Sequence, residues 1–419
     1  MNPDTRIFIL AGGLGTRLAH IISDVPKPMA PIAGRPFLEW QIEGFAKQGF
    51  SNFVLLVGHK KEVIIDHFGT GAKWGIHIDY SVEEELLGTG GAVIQAMHRY
   101  PCEICVIVNG DTYFNIGLKY LIDDVLRNDA LLIACKLWDK PDRYGTVIGN
   151  SEGQVSGFAE KRAGVDSGFI NGGIYVARAE TFSRRSITRC SIEMDIFPEL
   201  LAKQGLRWMA FAEPFVDIGV PEDFERAQTE IPEWSAITTT AALFLDRDGV
   251  LIEDTGYVRD SSQVQFLDRA LPILEAAIAR QMPVIVVSNQ AGVAKGILSM
   301  EQVDQVNRTI AEHFGQIGLP ITKFYFCPHH PDGVIEGFRN DCIDRKPMPG
   351  MLLRAAAEHR IDLGQSIMVG DKDSDVVGPV PVTAYLLQGR YPISKVDRIA
   401  SELLVKTDLQ EIRSEGTHD

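Results

Sequence analysis

Several short runs in this chain set glycines, cations or carboxylates directly behind apolar segments, where they could act on phosphorus. The first, Leu10-Ala11-Gly12-Gly13-Leu14-Gly15-Thr16-Arg17, leaves the apolar run Ile7–Leu10 and precedes Val25-Pro26-Lys27-Pro28. Glycines after a strand let backbone N–H groups close on phosphate oxygens, since no Cβ intervenes. Arg17 and Lys27 add two cations able to neutralise a triphosphate as pyrophosphate leaves. The run is neither a Walker loop nor a dinucleotide fingerprint, because Leu18 stands where the last glycine of G-x-G-x-x-G belongs. Asp111, in Asn109-Gly110-Asp111, and Asp217, in Val216-Asp217-Ile218-Gly219, are hard oxygen donors suited to Mg²⁺ on phosphates. In the second half, Ala242–Leu245 delivers Asp246-Arg247-Asp248-Gly249-Val250. Two carboxylates two residues apart past a strand end can divide labour, one attacking phosphorus and one handling the leaving-group proton.

Such side chains need a scaffold that ends strands beside one another. Short apolar runs alternate with longer amphipathic stretches, the pattern of βα units feeding a parallel sheet. Ile7–Leu10, Phe53–Val57, Ile104–Val108 and Leu131–Cys135 form one strand series; Ala241–Leu245, Val284–Val287, Phe324–Phe326 and Ile367–Val369 form another. Thr229–Thr240, containing Pro232, reads as the connection between them. The expectation is α/β with two doubly wound domains at 1–230 and 241–390, a linker at 231–240, and a C-terminal extension at 391–419 whose end frays. No repeat of 20–50 residues is present, so no β-helix appendix is expected.

The first half resembles the sugar-1-phosphate nucleotidyltransferases over about residues 6–230. The resemblance rests on the glycine-rich loop with Arg17 and Lys27, and on Leu87-Gly88-Thr89-Gly90-Gly91-Ala92, Asn109-Gly110-Asp111, Phe158-Ala159-Glu160-Lys161, Asn171-Gly172-Gly173 and Val216-Asp217-Ile218-Gly219. It implies a Rossmann-like, GT-A-type fold. Gly12, Gly13, Gly15 and Thr16 would hold phosphates, and Gly88, Thr89 and Gly90 the base and ribose. Asn109, Glu160, Lys161, Asn171 and Gly172 would also contact substrate, with Asp111 and Asp217 on Mg²⁺. Within the family this half is most similar to guanylyltransferases for heptose or mannose 1-phosphate. The implied reaction is attack of a sugar 1-phosphate oxygen on the α-phosphorus of a nucleoside triphosphate.

The second half resembles the haloacid-dehalogenase-like phosphatases over about residues 241–390. Asp246-Arg247-Asp248, Ser288, Lys346 and Gly370-Asp371-Lys372-Asp373-Ser374-Asp375 appear in family order. By that resemblance the fold is Rossmannoid and Asp246 is the nucleophile. Asp248 is acid then base, Ser288 and Lys346 hold phosphate, and Asp371 holds Mg²⁺ beside Asp246 and the Asp248 carbonyl. No large cap insertion separates the motifs, which implies an open site. Cys327-Pro328-His329 and Cys342-Ile343-Asp344 match a zinc pattern of bisphosphate-heptose and histidinol-phosphate phosphatases, except that Asp344 replaces the last cysteine. Zinc on Cys327, His329, Cys342 and Asp344 would be held more weakly for that exchange; the competing reading is two packed thiols and a loop histidine. Asn289, Gln290, Arg345 and Lys372 match heptose-type substrate contacts.

Together the halves imply a bifunctional enzyme of nucleotide-activated heptose synthesis. It would remove the 7-phosphate of heptose 1,7-bisphosphate and activate the 1-phosphate with a nucleotide, GTP being the expected donor. The alternatives are a hexose-1-phosphate nucleotidyltransferase fused to a phosphatase of histidinol-phosphate-like specificity, or one half retained only for binding. The net charge of −15 argues against a nucleic acid or an anionic membrane held by bulk electrostatics. The opening residues lack a signal-peptide core, and six unevenly spaced cysteines do not make a disulfide framework. A cytoplasmic protein, oligomeric or not, working on small phosphorylated substrates is expected.

Overall fold

A computed structural model describes residues 3–13, 24–141, 143–159 and 166–387. Gly15, Thr16, Arg17, Glu160, Lys161 and the extension 391–419 lie outside the described residues. The chain divides into two compact units, Met1–Ile237 and Thr238–Asp419.

The first unit is built on a nine-stranded mixed sheet. Thr5–Leu10 sits at its centre, parallel to Ile104–Asn109 on one side and to Asn52–Val57 on the other, with His77–Val82 beyond. The central runs Ile7–Ile9, Phe53–Val57 and Ile104–Val108 are continuously apolar and buried, as strands covered on both faces are. Ser167–Arg178 runs antiparallel to Ile104–Asn109 and carries the strands on that side. A separate two-stranded ribbon pairs Phe215–Asp217 with Thr112–Phe114, which puts Asp217 opposite Thr112.

The stretch read as a linker is partly helix. Pro221–Ser235 continues through Pro232, and Ile231 and Trp234 pack on a cluster around Phe37, Tyr113 and Val216. Burial of that apolar face outweighs the backbone bond that proline forfeits.

The second unit is a five-stranded parallel sheet in the order Lys323–Cys327, Val284–Asn289, Leu243–Leu245, Ile367–Gly370, Thr383–Leu386. Asp246, Ser288 and Asp371 therefore arrive together at the carboxyl ends of three adjacent strands, where open α/β sheets place ligands. The helix Met300–Gln316 starts with a capping box between Ser299 and Gln302 and buries Val303, Val306, Asn307, Ile310 and Phe314. No helix among the described residues is long and apolar enough to cross a membrane.

Candidate active sites

In the first unit, a cavity of about 380 Å³ opens over the carboxyl ends of the central strands. Gly12, Gly13, Lys27, Glu83, Gly88, Thr89, Asn109, Asp111, Glu193 and Gly219 line it. The ribbon brings the two expected metal carboxylates side by side, tied by the Ile218 N–H donating to the Asp111 carbonyl at 3.0 Å. Between them lies the Lys27 ammonium, 2.6 Å from Asp111 Oδ2 and 3.6 Å from Asp217 Oδ1. Asp217 Oδ1 also accepts the Gly219 N–H at 2.8 Å. Two hard carboxylates, one of them lining the cavity, suit Mg²⁺, and they could hold it once Lys27 turns to a phosphate.

The Gly88-Thr89-Gly90-Gly91 run opens the helix Gly88–Arg99, but its glycines serve a close backbone approach. The N–H groups of Gly90 and Gly91 donate to the Cys190 carbonyl at 2.9 and 3.2 Å, and the Cys190 N–H donates to the Leu87 carbonyl at 2.9 Å. Gly88 has φ +72, and a Cβ there would sit 2.6 Å from the Cys190 oxygen.

Glu193, which follows in a single π-helical turn, Ile192–Ile196, completes the junction. It accepts from the hydroxyls of Thr89 at 3.2 Å, Ser191 at 3.0 Å and Tyr175 at 2.9 Å. Tyr175 in turn accepts from the Asn171 amide at 2.9 Å. Asn171 and Thr89, far apart in sequence, thus belong to one hydrogen-bonded wall. Gly172 lies against Phe114. Nothing in the spacing of the sequence pointed to Glu193.

Glu83 was missed as well, being one of three consecutive glutamates. Its Oε2 accepts the Leu87 N–H at 3.1 Å, and Oε1 faces Gly12 across the cavity wall. Burial pushes its carboxyl above the usual range.

In the second unit the nucleophile candidate is deeply held. Asp246 is 5% exposed, and Lys346 donates to its Oδ1 at 2.9 Å, to Asp375 Oδ1 at 2.6 Å and to the Val287 carbonyl at 2.7 Å. Burial raises the Asp246 carboxyl to about 6 against the opposing pull of Lys346. Asp375, quoted within its motif but given no role, accepts the N–H groups of Asp371 and Lys372 through Oδ2, each at 3.0 Å.

Asp246, Asp371 and Asp375 have oxygens within 4.8 Å of one another. Asp371 Oδ1 is buried with no hydrogen-bond partner, and burial raises its carboxyl. A buried oxygen left unmatched beside two carboxylates fits a cation, so the residues present accommodate Mg²⁺. Gly249, at φ +83, lets its turn pass directly against the Asp371 carboxylate.

Ser288, 3% exposed, accepts from the Gln290 amide at 2.7 Å. The two amides read as substrate contacts also bond within the site. Asn289 donates to the Lys346 carbonyl at 2.9 Å and accepts the Lys346 N–H at 3.0 Å, fixing the lysine's backbone. Gln290 is 5% exposed and donates to Asp248 Oδ2 at 2.9 Å. Both are apposed to residues of the same site, which sequence spacing alone could not show. Lys372 pairs with Asp254 at 2.8 Å, and Arg345 donates to the His329 carbonyl at 3.2 Å.

Of the four expected zinc ligands, three converge. Cys327, His329 and Cys342 offer ligand atoms within 4.8 Å of one another. Asp344 is not among them: its Oδ1 pairs with Arg354 Nε at 3.0 Å, and only its backbone N–H reaches Cys342 Sγ, at 3.4 Å. The Gly350 N–H donates to the Ile343 carbonyl at 2.8 Å, folding the chain so that the carboxylate meets the following helix. Two soft thiolate donors and an imidazole fit Zn²⁺ with one position left open.

A sequence model of the Nucleotidyl transferase family matches residues 7–233. The chain belongs to the nucleotidyl transferase family. A HAD-hydrolase-like model matches residues 343–379 within the second unit. The D-glycero-alpha-D-manno-heptose 1-phosphate guanylyltransferase of Aneurinibacillus thermoaerophilus is 40% identical over 54% of this chain and 98% of its own length. The D-glycero-beta-D-manno-heptose-1,7-bisphosphate 7-phosphatase of Yersinia pestis is 39% identical over 32% of this chain and 72% of its own. The enzyme of the same name from Photorhabdus laumondii is 34% identical over 40% of the chain and 90% of its own. This nucleotidyl transferase thus continues into a unit of the HAD-like phosphatases, and the chain is an enzyme in both parts.

Proposed function

We propose that the chain carries out two consecutive steps of heptose activation. The second unit removes the 7-phosphate of D-glycero-D-manno-heptose 1,7-bisphosphate. The first unit then transfers GMP from GTP to the resulting heptose 1-phosphate, releasing pyrophosphate. The observation that carries this reading is that one chain holds both constellations, and relatives of the two units are named for a heptose bisphosphate phosphatase and a heptose 1-phosphate guanylyltransferase.

At the phosphatase site an Asp246 oxygen attacks the 7-phosphorus while Lys346 and Ser288 hold the phosphate. Asp248 protonates the departing sugar oxygen and then takes a proton from the water that hydrolyses the aspartyl phosphate. Asp246 and Asp371, with the Asp248 carbonyl, would hold Mg²⁺, which would supply charge that masks repulsion between carboxylate and phosphate. At the transferase site a sugar phosphate oxygen attacks the α-phosphorus of GTP. Lys27 and Arg17 balance charge on the leaving pyrophosphate, and Asp111 and Asp217 hold Mg²⁺. Cys327, His329 and Cys342 hold zinc as a clip on the loop presenting Arg345 and Lys346.

Glu83 reads the base. A carboxylate only accepts, and guanine offers two adjacent donors, N1–H and the N2 amino group, on one edge; no other common base does. A hydrogen bond to a charged group contributes about 1.5–3 kcal/mol, so the preference for GTP over ITP, which lacks the N2 amino group, should exceed about tenfold. Glu83→Gln should erase that preference; an unchanged GTP-to-ITP ratio would remove Glu83 from base recognition.

The 1-phosphate is untouched by the first step, so its anomer passes unchanged to the second. The phosphatase relatives are named for the beta anomer and the guanylyltransferase relative for the alpha. Consecutive use in one chain requires the phosphatase unit to accept the alpha bisphosphate. Supplying each anomer separately and measuring phosphate release tests this, and activity confined to the beta anomer would break the sequence of steps.

A further inference from the structure

Arg247 occupies the middle of the Asp246-Arg247-Asp248 turn. It is 1% exposed, one of the largest fully buried side chains among the described residues. Its Nε lies 3.2 Å from both Asp248 carboxylate oxygens, and one terminal nitrogen lies 3.1 and 3.0 Å from the same two. That nitrogen also donates to Gln290 Oε1 at 3.0 Å, and the other donates to Asn307 Oδ1 at 3.2 Å. Asn307 is the polar member of the otherwise apolar buried face of Met300–Gln316. Gln290 closes the ring by donating to Asp248 Oδ2.

A buried guanidinium is a costly way to fill space, since well-packed apolar residues of similar volume are often as stabilising. All three of its guanidinium nitrogens are directed at one carboxylate and the amides around it. We propose that Arg247, fixed by Asn307 and Gln290, is a positioning residue of the phosphatase reaction, holding Asp248 for proton transfer at the sugar oxygen. This rests on the phosphatase reading above. As the bond from phosphorus to the sugar oxygen breaks, that oxygen takes the proton of the Asp248 carboxyl. Asp248 is left as the anion that the Arg247 fork receives, and it then accepts the proton of the hydrolytic water. The fork holds both oxygens, so the carboxylate keeps one orientation through both halves of the reaction.

The test compares two esters on the full-length, Mg²⁺-loaded enzyme. Heptose 1,7-bisphosphate has an alkoxide leaving group that needs a proton; p-nitrophenyl phosphate has one that departs without it. General acid–base catalysis contributes about 10²–10⁴-fold. Arg247→Met should therefore lower kcat/KM, which reports formation of the aspartyl phosphate, by about 10²-fold or more for the bisphosphate and far less for the nitrophenyl ester, hydrolysis of the aspartyl phosphate being common to both. Asp248→Asn should show the same split, and adding Arg247→Met to it should cost little further, because both act on one proton transfer. Asn307→Leu should give a milder split, which keeps the test open if Arg247→Met fails to fold. Equal losses of kcat/KM on both esters, in Arg247→Met or in Asn307→Leu, would overturn the proposal and leave Arg247 a structural residue. A wild-type enzyme that hydrolyses neither ester would instead refute the phosphatase reading itself.

Discussion

The Lys346 ammonium donates to Asp375 at 2.6 Å, a shorter contact than the one it makes to Asp246 at 2.9 Å. Asp375 is 1% exposed and spends its other oxygen on two backbone N–H groups of the Asp371 turn. It therefore fixes both the lysine beside the proposed nucleophile, Asp246, and the turn that carries the proposed metal carboxylate, Asp371. Asp375→Asn retains one acceptor oxygen where two are needed. Breaking a buried pair costs about 3–5 kcal/mol, so phosphatase activity should fall by about 10²-fold or more with a lower melting temperature for the second unit. Nucleotidyl transfer from supplied heptose 1-phosphate should be retained. Wild-type phosphate release by this variant would show that Asp375 bears no load at the site.

Gly88→Ala tests the wall shared by the helix Gly88–Arg99 and the Cys190–Glu193 segment. A φ of +72 and a carbonyl 2.6 Å from the added Cβ leave no room for a side chain. A non-glycine residue forced there costs about 1–3 kcal/mol. Guanylyl transfer should drop with that destabilisation while phosphate release stays normal. Thermal unfolding followed alongside the two assays checks it; an unaltered transferase would mean the junction yields without consequence.

Much of the scaffold was legible in sequence, because apolar runs such as Ile104–Val108 and Ile367–Val369 can only be buried strands when amphipathic stretches alternate with them. Asp246, Lys346 and Asp371 were legible too, since each follows a strand or sits in a recognisable run. Glu193, Glu83 and Asn307 were not: what marks each is a neighbour far off in sequence, Thr89 for Glu193, Gly12 for Glu83 and Arg247 for Asn307, and nothing local separates them from a solvated or capping residue. Asp344 misled for the same reason. Its place in the C-x-D run suggested a ligand, but Arg354, ten residues on, claims the carboxylate.

Cysteine chemistry should report the proposed zinc clip. In metal-free protein Cys342 is lowered to about 6, chiefly by the hydrogen bond from Cys327, whereas burial raises Cys102, Cys105 and Cys135. The thiolate is the nucleophile, so at pH 7 Cys342 should be alkylated first by iodoacetamide, its rate falling as pH drops through about 6. Added Zn²⁺ should protect it, and Asp344→Ala should leave that protection intact because Asp344 pairs with Arg354. Mass spectrometry of the modified peptides decides this; protection lost in Asp344→Ala would return the aspartate to the metal.

The most direct measurement supplies D-glycero-α-D-manno-heptose 1,7-bisphosphate, GTP and Mg²⁺ to the purified chain and follows phosphate and pyrophosphate together by ³¹P NMR. Equal amounts of both should form with one GDP-heptose per turnover. Asp246→Asn should form neither from the bisphosphate yet release pyrophosphate normally from heptose 1-phosphate, and Asp111→Asn should release phosphate alone. Pyrophosphate formed from the bisphosphate by Asp246→Asn, or loss of both activities in either variant, would contradict two separate sites working in succession.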